Sequence, residues 1–71
     1  MIEELVLEIT QKIENYKNAK KETWGEVYEN VFNEYKHLTS NEKDIILVKV
    51  VNKITRDGYS IEDHPFRLIK F

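Results

Sequence analysis

With 71 residues and no cysteine, the chain has the length of one domain, residues 1–71, near the size where a single core barely suffices, and neither disulfides nor thiolate zinc sites are open to it. Its 34% charged and 41% hydrophobic residues exclude the composition of a disordered chain, and a formal net charge of −2 gives no general pull toward nucleic acid. No apolar run approaches the roughly twenty residues that cross a bilayer, and Met1-Ile2-Glu3-Glu4 lacks the basic start of a signal peptide, so the expected compartment is cytoplasmic, with no membrane partner.

Residues 2–20 place Ile2, Leu5, Val6, Ile9, Ile13 and Tyr16 at steps of three and four, the pattern of an amphipathic helix. Glu3 and Glu4 lie at its positive pole, and Lys17, Lys20 and Lys21 at its negative pole. Leu7 falls off the apolar stripe and, beside Glu3 or Leu5, could rim a contact surface.

Thr23 and Glu26 form a T-x-x-E capping box that starts a second helix, expected over 23–37. From there Trp24, Val27, Tyr28, Val31, Phe32, Tyr35 and Leu38 follow the helical period without a gap. Residues 22–38 are also the acidic part of the chain, with four acids against one base.

A second box, Thr39 with Glu42, opens a third helix over 40–56, which Gly58 closes in the left-handed turn that glycine favours. Ile46, Leu47, Val50, Val51 and Ile54 make its stripe; Ile45 and Val48 widen it, as suits a central helix touched on more than one side. The β-branched run IILVKVV would also fit a buried strand, but the caps and the segment length favour helix.

After Gly58 the extension 58–71 has Pro65 in its middle, which biases His64 toward extended geometry, and it has no helical period. It is too apolar for a free tail and is expected to pack back across the helices. A short strand at 66–71 would need a partner, and a second chain could supply it. The expected fold is therefore all-α, a three-helix up-down-up bundle with an ordered apolar C-terminal extension.

Reactive constellations are missing. Ser40 adjoins a helix cap, and Gly25 and Gly58 are too far apart for a phosphate-binding loop. The Glu34–His37 spacing could share a metal only with partners the sequence does not supply beyond Glu62, Asp63 and His64. No catalytic residue, cofactor or metal ligand is assigned, and the expectation is that the protein is not an enzyme.

Two macromolecular surfaces remain. Glu26, Glu29 and Asn33 share an acidic helix face suited to a basic groove on another protein, and Trp24 with Tyr28, on the apolar stripe of the same helix, are interface-prone rings that a chain this small leaves partly exposed. Alternatively, Lys43, Lys49, Lys53 and Arg56, joined by Arg67 and Lys70, could contact phosphates as part of a nucleic-acid-binding regulator. A homodimer is the third expectation, since pairing buries apolar surface that so small a chain leaves exposed. The leading expectation is a small adaptor or inhibitor of a larger protein. The Lys, Asn, Ile and Glu bias fits an AT-rich bacterial or phage genome, and in size and acidity the chain resembles small phage-encoded inhibitors of host machinery, anti-CRISPR proteins among them.

Overall fold

Both capping boxes form as the sequence implies. Thr23 Oγ1 accepts from the Glu26 N–H while Glu26 Oε1 accepts from the Thr23 N–H, and Thr39 and Glu42 repeat the exchange, so each helix starts with two of its open donors satisfied. The computed structural model describes residues 2–16, 22–63 and 65–71. Over these the elements are α1 (Ile2–Glu14), α2 (Trp24–Phe32), α3 (Ser40–Arg56), β1 (Tyr59–Asp63) and β2 (Phe66–Lys70). The expected course of the first helix through Lys17 to residue 20, with Lys20 and Lys21 beyond it, and the extended backbone at His64 lie outside the described residues.

The all-α expectation is corrected. β1 and β2 pair antiparallel within one chain, Tyr59 opposite Lys70 through to Asp63 opposite Phe66, so the strand foreseen near 66–71 takes its partner from 59–63 and not from a second molecule. The cause is a period of two within each of the segments 59–63 and 66–70. Tyr59, Ile61, Phe66 and Leu68 share the face that packs on the core, and Ser60, Glu62, Arg67 and Ile69 share the outer one. The helical part alone is consistent with the expected bundle.

Two helices are shorter than their periodicity implies. α1 ends at Glu14, and Asn15 and Tyr16 lie beyond its last turn. α2 ends at Phe32, well short of residue 37, because the backbone tightens into turns in which Tyr35 N–H donates to Phe32 O and Leu38 N–H to Tyr35 O. Phe32, Tyr35 and Leu38 stand three apart, so three-residue turns keep all of them on one buried face without an α-helix.

The core gathers Val6, Ile9 and Ile13 of α1, Val27, Val31 and Phe32 of α2, Ile46, Val50 and Ile54 of α3, and Phe66 of the hairpin. Ile45 and Val48, expected to be covered, are instead exposed, so α3 buries a single stripe. α1 and α3 lie side by side in the same sense: Glu3, Val6 and Leu7 face Lys49 and Lys53, and Glu14 lies by Asp57. Asn33 and Asp57 cap the ends of α2 and α3, and Gly58 follows at φ 94°, where a side chain would be strained.

The hairpin is tied to the start of α2. Asp63 Oδ1 accepts from the Trp24 N–H at 2.9 Å, the Phe66 N–H donates to Glu22 O at 2.7 Å, and the Trp24 and Phe66 rings stack at 5.4 Å. Among the described residues no helix is long and apolar enough to cross a membrane.

Candidate functional site

α2 presents one side to the core and the other to solvent, and along the edge between these sides it faces Lys43 near the start of α3. Between them lies a groove of about 430 Å³ lined by Tyr28, Glu29, Asn30, Phe32, Asn33 and Lys43. Three residues expected to bind a partner, Tyr28, Glu29 and Asn33, therefore line one groove: Glu29 and Asn33 stand one turn apart, and Tyr28 borders them from the half-buried side of α2.

Tyr28 is half-buried, its ring tilted against Phe32 at 4.5 Å. Burial raises its phenol above the ordinary tyrosine value, and the Asp44 and Glu29 carboxylates add to the effect, so the hydroxyl stays protonated at neutral pH and available as a donor. The Glu29 carboxylate is exposed and makes no ion pair or side-chain hydrogen bond among the described residues. Asn30 is occupied, its amide donating to Glu22 Oε2 at 2.7 Å and to the Tyr16 hydroxyl at 3.3 Å. The groove thus offers a phenol donor, a carboxylate, the Asn33 amide and the Lys43 ammonium: recognition chemistry without a nucleophile beside a base.

Trp24 and Glu26, the other two residues of that expected surface, lie outside the groove lining. Trp24 is taken up by its stack on Phe66, and the Glu26 carboxylate closes the capping box. Both serve first to hold the start of α2.

The basic set divides. Lys49, Lys53 and Arg56 line a separate groove of about 480 Å³ between α1 and α3, opposite Glu3, Val6 and Leu7. Lys53 Nζ pairs with Asp57 Oδ1 at 3.3 Å, while Lys49 and Arg56 have no ion pair among the described residues. Arg67 and Lys70 belong to the hairpin instead: Arg67 Nε meets Glu62 Oε1 at 2.8 Å and Lys70 Nζ stands 5.9 Å from the Tyr59 ring centroid.

Near the far end of that groove are two carboxyls of unequal character. Glu14 is pushed up by burial and by its contact with Asp57, whereas Asp57 is held down by Glu14 and Lys53. Glu14 Oε2 and the fully buried Thr10 Oγ1 are without hydrogen-bond partners.

The Glu34–His37 spacing does not form a helical pair, since α2 has ended; Glu34 Oε2 instead accepts from Lys12 Nζ at 3.1 Å. Among the described residues no three His, Asp or Glu side chains are gathered as a metal ion would require. Lys43, expected beside Lys49, Lys53 and Arg56, stands apart from them in the α2 groove, a placement that no periodicity within either helix reveals, and of the exposed aliphatic residues on α1 and α3 Leu7 alone is marked in the sequence by lying off a stripe. No protein-family model, curated protein or solved structure matches this chain.

Proposed function

We propose that this chain is a small, non-catalytic, cytoplasmic protein-binding module that acts as an adaptor or inhibitor of a larger protein through the α2 groove. The observation that carries the reading is the convergence of Tyr28, Glu29 and Asn33 on one concave surface, with the Glu29 carboxylate unpaired and a half-buried aromatic floor. Tyrosine beside an uncompensated charge is the composition of an interface anchor, and the acidic character of residues 22–38 selects a partner with a basic complement.

Nucleic-acid binding through Lys49, Lys53 and Arg56 is the weaker reading. Those cations converge, but Glu3 and Asp57 line the same groove, where they would repel a phosphate backbone, and Arg67 and Lys70 are engaged elsewhere.

The test is affinity capture from the source cell with tagged wild-type, Glu29→Lys/Asn33→Lys and Lys49→Glu/Arg56→Glu chains, each split into nuclease-treated and untreated halves. A protein retained after nuclease by the wild type and the second variant, and lost with the first, is expected. Capture that depends on nucleic acid, or survives the α2 changes unaltered, overturns the reading.

A further inference from the structure

Three of the large aliphatic side chains left in solvent lie on α1 and α3: Leu7 at 55% exposure, Ile45 at 46% and Val48 at 60%. Leu7 lines the α1/α3 groove and Ile45 precedes its Lys49 by one turn, so these two flank that groove, while Val48 lies on the outer side of α3 one turn after Asp44; none of the three lines the α2 groove. Small proteins bury such side chains against a partner when they have one.

The charges around them have a particular order. The α1 wall carries Glu3, Glu4, Glu8 and Glu14, and the α3 wall carries Lys49, Lys53 and Arg56 with Asp57 at its far end, a net excess of acid on one side and of base on the other, with Leu7 common to both halves of the groove. Apart from Lys53 and Asp57, which pair with each other, none of these charges has an ion-pair partner among the described residues. A partner of one sign would satisfy one wall and be repelled by the other.

We infer that the occupant of this face is a second copy of the same chain. A two-fold axis along the groove sets each α1 opposite the α3 of the other copy, because α1 and α3 run in the same sense. Each acidic row then meets a basic row twice over, as an isologous contact requires. Leu7 lies near the axis and meets its own symmetry mate, with Ile45 extending the apolar area. Helices of this length give a face only about 20 Å long, the small end of stable interfaces, so the dimer is expected to dissociate on dilution. The α2 groove lies apart from this contact, so the dimer would present two copies of it, and the inference stands or falls separately from the adaptor reading.

The test is sedimentation equilibrium on the full chain from sub-micromolar to near-millimolar concentration. Wild type is expected to pass from monomer to dimer. Glu4→Lys/Glu8→Lys gives two basic rows and Lys49→Glu/Arg56→Glu two acidic rows; each alone should weaken self-association at least tenfold, with the circular dichroism of the folded chain retained. Mixed in equal amounts, the two variants are complementary at both contacts and should recover a heterodimer within a few fold of wild-type affinity. A wild type that stays monomeric throughout, or a mixture that fails to recover association, overturns the inference. Either result leaves the capture experiment with Glu29 and Asn33 untouched.

Discussion

Replacing Asp63 by alanine tests whether the hairpin is docked onto α2 as described. Its Oδ1 accepts the Trp24 N–H at 2.9 Å, so a side chain 39 residues away in sequence satisfies a donor that the first turn of a helix cannot pair for itself. Losing such a cap costs about 1 kcal/mol, and because the site is exposed the charge adds only a few tenths from the helix dipole. In a domain of this size about 1 kcal/mol lowers the thermal midpoint by roughly 4–8 °C. Asp63→Asn keeps an oxygen acceptor and loses only the charge, so its loss should be less than half as large. Thermal and urea unfolding followed by far-UV circular dichroism measures both. Trp24 is the only tryptophan and stacks on Phe66, so its fluorescence reports the docking itself. If Asp63→Ala melts with the wild type, or Asp63→Asn is as damaged as Asp63→Ala, the cap is not what holds the hairpin to α2.

Four further outcomes follow from single side chains and one glycine. Thr10→Val exchanges an unpartnered buried hydroxyl for a methyl of the same shape and should stabilise the chain by about 1 kcal/mol in urea titrations. Gly58→Ala should cost about 1 kcal/mol in the same assay; the cost is conformational, since φ is 94° and nothing lies within 4 Å of an added Cβ. On acidification two carboxyls act in opposite directions. Glu42, lowered by the Thr39 backbone N–H and hydroxyl, contributes stability above its unfolded value and loses it as pH falls through the folded one. Glu14, raised mainly by burial, contributes most when protonated and loses that as pH rises through its folded value. Midpoint against pH should therefore lose part of its acid decline in Glu42→Gln, and Glu14→Gln should be stabilised most at neutral pH.

Local signals in the sequence carried far. Thr23 with Glu26, Thr39 with Glu42, and Gly58 mark chain positions through bonds made within a few residues, so they are readable without knowing the fold. The end of α2 was not, because Phe32, Tyr35 and Leu38 are spaced to suit both a continuing helix and a run of three-residue turns. The hairpin was half legible: alternation in Tyr59–Asp63 and Phe66–Lys70 is visible once both are set beside one another, while either alone is too short to stand as a strand. Ile45 and Val48 look like core in composition, and only the packing of α1 along the Ile46–Val50–Ile54 side shows that they are not. The same holds for the sites. Glu29 and the α2 cap Asn33 stand one turn apart, so their closeness is periodic, whereas the border that Tyr28 and Lys43 give that groove, and Glu3 facing Lys49, depend on which elements become neighbours.

The attachment of the hairpin to α2 also bears on how the molecule opens. The Trp24 and Phe66 amides are protected by bonds on the two sides of one stacked pair, and neither bond belongs to a helix or to the β ladder. Lifting the hairpin exposes both at once and uncovers Phe66, which is otherwise buried in the core. The two amides should thus exchange with solvent hydrogen at one common free energy, below that of Ile9 or Val50 at the centre, as a single sub-global unit that comes away before the helices separate.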